Sequence, residues 1–255
     1  MVSVAAEPEC GNEEAQVSSS HENTEIEGNK VGIMRALVEA QDPSAKEVDD
    51  LMIRRFLRAR ELDIEKGSSL LLKYLNWRRE FVPNGSISAS EIPNNLAQNK
   101  LFMQGVDKTG RPIVVVFGGR HKPSEGSLEE FKRFIVFGFD KICARMPRGQ
   151  EKFLCIGDFE GWGYSSSDIR GYLAALSILQ DFYPERLGKL FIVHVPYLFM
   201  SAWKAVYPFI DKKTKRKIIF VEDKNLKSSL LVDIDESQLP DTYGGRLPLV
   251  PIEDC

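Results

Sequence analysis

The chain has 255 residues, 43% hydrophobic and 28% charged, enough for one good core and a small helical appendage but not for two large domains. Its four cysteines, Cys10, Cys143, Cys155 and Cys255, stand far apart without CxxC spacing, so free thiols are expected rather than a disulfide framework or a zinc site. Net charge is −3, yet residues 1–29 hold seven glutamates and no Lys or Arg, leaving 34 basic against 30 acidic residues beyond them: a mildly basic body suited to an anionic surface, with no nucleic acid expected as partner.

Residues 1–29 are rich in Glu, Ser, Asn and Gly and predict a disordered acidic tail. Its glutamates also stand where a secretory signal would need basic and then apolar residues, so a cytoplasmic location is expected. Residues 30–90 predict a small helical lobe. Ile33, Met34, Leu37 and Val38, then Ile53, Phe56 and Leu57, then Leu70, Tyr74, Trp77 and Phe81 recur at helical spacing. Asp49 or Asp50 and Asp63 are candidate N-caps, and Pro83-Asn84-Gly85 is a stop.

After a polar linker at 84–95, segments 101–106 and 113–117 read as strands around the turn Asp107-Lys108-Thr109-Gly110. Ser127-Leu128-Glu129-Glu130 spells a capping box ahead of a helix to about Met146. An apolar run at 153–159, a helix after Asp168, an apolar strand at 190–195, a helix at 199–210 and a short strand at 218–221 then alternate as βαβ units do. The expected fold class over 91–250 is α/β, with a mixed, mostly parallel sheet joined by right-handed crossovers. The most apolar stretch, 187–210, is broken by Lys189, His194, Pro196 and Lys204, so no membrane span is expected.

The signatures GxxxxGK[ST], GxSxG and HExxH do not occur. Of His21, His121 and His194, only the last, in an apolar strand, is a candidate base; with no adjacent nucleophile or carboxylate, a hydrogen-bonded core histidine is the plainer alternative. Gly161-Trp162-Gly163 sits where a dinucleotide fingerprint would fall, but Ser166 replaces its third glycine, so a turn is expected. These absences predict a protein that is not an enzyme and needs neither cofactor nor metal.

Tyr197, Leu198, Phe199, Met200, Trp203, Val206, Tyr207, Phe209 and Ile210 leave 197–210 almost without a polar face. Such a helix is either central to a core or turns its second face to bound lipid or a membrane, and Pro208 predicts a kink near its end. Lys212, Lys213, Lys215, Arg216 and Lys217 follow directly, as a solvated turn or as a site for an anionic headgroup.

The run from Tyr183 to Lys189 (YPERLGK), then His194-Val195-Pro196 and the helix at 199–210, resemble the CRAL-TRIO family of lipid-binding proteins. Arg54-Arg55-Phe56-Leu57-Arg58-Ala59-Arg60 and Asp158-Phe159-Glu160-Gly161-Trp162 extend the resemblance over about 32–247. It implies a helical lobe, a sheet flooring an apolar pocket, and a mobile gate helix carrying Phe199, Met200, Trp203, Val206, Tyr207, Phe209 and Ile210. Resemblance to the family's phosphatidylinositol transfer proteins implies a headgroup site of Arg60, Thr214 and Lys217. There a planar guanidinium, a hydroxyl and a compact ammonium would together hold a phosphate.

The resemblance places Glu185 and Arg186 with the gate and pocket. Glu185 matches a carboxylate that in the family pairs with a basic residue following the arginine, but Glu61 stands there, leaving Arg186 as the neighbouring cation. Phe153 and Cys155 occupy positions where members that exchange phosphatidylcholine carry Ser and Thr. Phosphatidylinositol is therefore the first ligand implied and phosphatidylcholine a weaker second. The resemblance implies a monomeric, cytoplasmic, peripherally membrane-associated carrier that docks on an anionic membrane surface with a bound phospholipid as its ligand. Two other functions fit the same residues: a carrier of a sterol, tocopherol-like or retinoid ligand, and a lipid-sensing regulatory or scaffold protein whose acidic tail recruits a partner.

Overall fold

The computed structural model describes the backbone of residues 12–255 and the side chains from Glu25 onward; residues 1–11 of the expected tail, with Cys10, lie outside the described residues. The chain divides into two compact units, Met1–Trp77 and Arg78–Cys255.

In the first unit, α1 (Asn12–Gln41), α2 (Asp50–Ala59) and α3 (Ile64–Phe81, which continues to the first residues of the second unit) are helices. From Asn12, the first described residue, the chain is helical, so 12–29 are helical rather than disordered. The reason is contacts that local patterning cannot display. Both carboxylate oxygens of Glu27 accept from Arg58, Oε1 from Nε at 2.6 Å and Oε2 from Nη2 at 3.1 Å, and Lys30 Nζ donates to the Leu62 carbonyl at 2.9 Å. With these fixed and Val31, Met34 and Val38 buried, extending the helix adds a hydrogen bond per residue at little further cost.

The rest of this core is Ala45, Val48, Ile53, Phe56, Leu57, Leu70 and Leu71, whereas Ile33 and Leu37 of the helical pattern are exposed. Asp49 caps α2 by accepting from the Met52 amide at 2.6 Å, and Asp63 accepts from the Lys66 amide at 3.0 Å. At Gly67 an added Cβ would press to 3.3 Å on Met34 Sδ, so the missing side chain makes room for α1 against α3.

In the second unit, β1 (Leu101–Val106) and β2 (Pro112–Phe117) pair antiparallel around the expected turn, where Gly110 takes φ 77°. β3 (Phe153–Asp158), β4 (Leu187–Val193) and β5 (Ile218–Phe220) follow in parallel, in the order β1-β2-β3-β4-β5. A short α4 (Pro93–Ala97) precedes β1, and α5 (Leu128–Ala144), α6 (Ile169–Phe182) and α7 (Phe199–Val206) with the single turn α8 (Lys212–Lys215) form the crossovers. Right-handed connections between successive neighbours put these crossovers on one face of the sheet.

α9 (Leu226–Asp233) and the segment after it cover the other face, where Leu230, Ile234, Leu239 and Tyr243 pack on Ile113, Val115, Leu154, Ile156, Phe191 and Val193. The capping box at Ser127 is half formed. Ser127 Oγ accepts from the Glu130 amide at 3.0 Å, but the Glu130 carboxylate turns to Asn94 and Asn95 instead of returning to the cap.

Candidate functional site

The helix expected over 199–210 is an α-helix only to Val206; Pro208, with no N–H to donate, turns Tyr207–Phe209 into a 3₁₀ turn. It is not covered on all sides. Phe199 is 5% exposed, with its ring centroid 4.1 Å from Phe159 and 5.4 Å from Trp162, and Ala202 is buried with it. Trp203 packs edge-on to Phe220 at 5.2 Å. Met200, Tyr207 and Phe209 are exposed, Tyr197 is 96% exposed, and Val206 is half-buried while Ile210 is buried. Gln180 fastens the far end by donating to the Phe209 carbonyl at 3.2 Å and accepting from the Asp211 amide at 2.9 Å.

α8 follows at once. Asp211 caps it by accepting from the Thr214 amide at 2.8 Å; burial acts to raise this carboxyl, but the bonds from Thr214 outweigh it and the net shift is downward. Beside it the Glu185 carboxylate lies 3.6 Å from Lys213 Nζ and 3.7 Å from Lys217 Nζ. Glu185 is thus neutralised within its own unit, in a left-handed conformation at φ 58°. Arg186 is not its partner: the guanidinium donates to the Glu151 carbonyl at 3.1 Å and lies 3.5 Å from Met146 Sδ. Burial lowers the Lys217 ammonium from its ordinary value, with Glu185 acting in the opposite direction.

Thr214, Lys217 and Glu185 therefore form one cluster at the end of the apolar segment, with Lys213 added from the basic run. Arg60 belongs to the first unit, where it ends α2 and donates to its own turn at the Ala59 carbonyl, 3.1 Å away.

On the crossover face of β3, Cys155 pairs in register with Val114 and Leu190. Burial pushes its thiol up to about 12. Phe153, the other position where a hydroxyl was looked for, is buried edge-on against Phe139 at 5.5 Å.

At the ends of β3 and β4 the fold assembles a cluster that no motif announced. His194 is not isolated from carboxylates, as expected, but has Nδ1 3.0 Å from Asp158 Oδ1, and Asp158 Oδ2 accepts from the Tyr243 hydroxyl at 2.9 Å. Glu160 completes a trio whose donor atoms lie within 4.8 Å of one another. Both Asp158 oxygens already accept hydrogen bonds, so the trio is a brace rather than a set of free ligands. Gly161 takes φ 68° in the expected turn.

A family model described as CRAL/TRIO domain matches residues 96–245, more than half of the chain. The chain belongs to the CRAL/TRIO family. Among its relatives, the Sec14 cytosolic factor of Schizosaccharomyces pombe is 31% identical over 216 residues, covering 78% of this chain and 75% of that protein. The phosphatidylinositol/phosphatidylcholine transfer protein SFH4 of Arabidopsis thaliana is 32% identical over 217 residues, 78% of this chain and 36% of that one. Among solved structures, the crystal structure of Sfh5 superposes with a TM-score of 0.57 at 19% identity, over 70% of this chain and 66% of that one, which shows the shared fold. No helix among the described residues is long and apolar enough to cross a membrane.

This CRAL/TRIO chain also holds a buried polar cluster away from α7. Lys100 Nζ donates to Asn95 Oδ1 at 2.8 Å, Gln98 Oε1 at 2.6 Å and His121 Nδ1 at 2.9 Å. When Lys100 is an ammonium it only donates, so His121 then carries its proton on Nε2 and gives it to Asp168 Oδ2 at 3.2 Å. Burial brings Lys100 down to about 7 and holds His121 below the usual imidazole range, with the Lys100 charge adding to the latter. A cavity of about 250 Å³ opens on His121, Asp168, Arg170 and Phe131. No motif marked this cluster.

Proposed function

We propose that the protein is a soluble, peripherally membrane-associated carrier that binds phosphatidylinositol and exchanges it at cytosolic leaflets, acting as a monomer without cofactor, metal or covalent chemistry. The observation that carries this reading is the junction of α7 with α8, where an apolar segment with exposed aromatic rings runs directly into Lys213, Thr214 and Lys217. Acyl chains would lie along the crossover face of the sheet at Cys155, beneath α7 as the gate, with the phosphate at Lys217 and Thr214. Removing a chain from water is worth about 0.8 kcal/mol per methylene, so transfer requires an enclosure for the chain. The family membership and the transfer activity named for the Arabidopsis relative support the same reading.

The test is mass spectrometry of lipid extracted from the protein purified from eukaryotic cells, beside Lys217→Ala and an Arg60→Ala/Lys217→Ala double variant. Phosphatidylinositol should fall roughly tenfold or more in the variants, the cost of one or more charge-assisted bonds. A neutral apolar molecule retained equally by all three would replace the reading with that of a sterol or isoprenoid carrier. For the second ligand Phe153 and Cys155 favour such an apolar molecule over phosphatidylcholine, because neither side chain offers a hydroxyl to a headgroup.

A further inference from the structure

Strand alternation puts successive side chains on opposite faces of a sheet. Val193 pairs in register with Asp158 and shares its face, so an extended residue 194 would point to the other side. His194 instead takes φ 49°, a left-handed conformation that costs a non-glycine residue energy and persists only where the surroundings enforce it. The turn brings the imidazole back to Asp158. A carboxylate oxygen only accepts, so Nδ1 is the donor.

Asp158 is 1% exposed, and among the described residues the bonds to its side-chain oxygens come from His194, the Tyr243 hydroxyl and the Glu160 amide. Tyr243 lies in the segment that covers the opposite face of the sheet, so the acid ties the exit of β4 to that layer. Val195 and Pro196 follow, and then α7, whose first residue Phe199 is sealed between Phe159 and Trp162. The far end differs: the helix loosens into the turn at Tyr207–Phe209, Phe209 is 61% exposed, and Gln180 supplies its polar anchor.

We propose that His194 is the positioning residue of the gate: clamped by Asp158 and Tyr243, it is the fixed pivot from which α7 swings, so opening starts at the Tyr207–Phe209 end. This rests on α7 acting as the gate of the carrier proposed above. It assigns His194 a mechanical role and no chemistry.

Hydrogen exchange on the full chain, with and without vesicles of phosphatidylcholine containing phosphatidylinositol, tests it in three variants. His194→Ala removes the donor and leaves the backbone strain, His194→Gly removes both, and His194→Asn tolerates the left-handed conformation while keeping a side-chain donor. In the wild type, vesicles should speed exchange at 207–210 while 199–203 stay protected. Ala and Gly should each speed exchange at 199–203 roughly tenfold or more, the loss of one bond to a charged acceptor, while Asn stays close to wild type and β3 is unchanged in all. A glycine variant as protected as wild type would show that only the backbone turn matters and overturn the proposal, as would wild-type opening that begins at 199–203. Failure of the carrier reading is seen separately, as absence of phosphatidylinositol from wild-type extracts, and does not alter the exchange pattern expected of the variants without vesicles.

Discussion

Lys100 is 4% exposed, and burial lowers its ammonium from 10.5 to about 7. Between these values the unfolded chain keeps a proton that the folded chain has released, so unfolding takes up a proton and stability rises with pH across the window. Lys100→Met removes that linkage and strands Asn95 Oδ1, Gln98 Oε1 and His121 Nδ1, at about 1–3 kcal/mol for each acceptor that finds no other donor. At pH 6.5 part of that loss is offset, because the variant no longer buries a charge. At pH 9 the wild type has shed the charge and the offset is gone. Urea unfolding of both proteins should therefore show a deficit of about 2 kcal/mol at the lower pH and a larger one at the higher. Equal deficits would mean that the lysine stays charged throughout. None of this was legible in the sequence, where Lys100, His121 and Asp168 are separated by the whole of β1, β2, α5 and β3. The same is true of Glu185. Its position in the run beginning Tyr183-Pro184 marked it as important, but its partners, Lys213 and Lys217, are chosen by how α8 returns to β4.

Elements were most legible where one residue type performs one local task. Asp49, Asp63 and Asp168 each cap the helix expected of them, and Asp107-Lys108-Thr109-Gly110 makes the turn between β1 and β2. Glu130 shows the limit of such rules, since its carboxylate is drawn off to Asn94 and Asn95 by tertiary contacts. α9, with the sequence LKSSLLVD, has no clean apolar stripe and was not expected, although Leu230 and the residues after it seal one face of the sheet. For α7 the composition identified an unusual segment but could not say which side chains face inward. The structure divides them, and the division is testable. Phe199→Ala should cost about 3 kcal/mol of stability through the cavity left against Phe159 and Trp162. Phe209→Ala should stay within about 0.5 kcal/mol of wild type, as exposed substitutions do, while weakening sedimentation with lipid vesicles. Equal destabilisation by the two would place both rings in the core and remove Phe209 from any membrane contact.

At the scale of the molecule, the change from helical to strand periodicity near residue 100 and the later βαβ alternation were sufficient for the fold class, because a parallel sheet with crossovers leaves few other arrangements. The expected tail was the main departure. Its charge pattern argued for disorder, and the ion pair of Glu27 with Arg58 is a long-range contact that no window of sequence contains. What composition did anticipate is the mildly basic body, whose charge the structure concentrates after α7 in Lys212, Lys213, Lys215 and Arg216, with Lys215 Nζ 4.3 Å from the Tyr207 ring centroid. If this surface docks on a leaflet, two forces act on it with different sensitivity to salt. Attraction of the lysines to anionic lipid is screened over about 10 Å at 0.1 M salt, whereas burial of Tyr197, Met200 and Phe209 is not weakened by salt. Association with vesicles containing anionic lipid should therefore fall roughly tenfold between about 0.05 and 0.5 M salt and level off at the affinity shown for neutral vesicles. Phe209→Ala should lower that plateau without changing the slope. Association that disappears entirely in salt would assign docking to charge alone, and association indifferent to salt would leave the basic run to the bound headgroup.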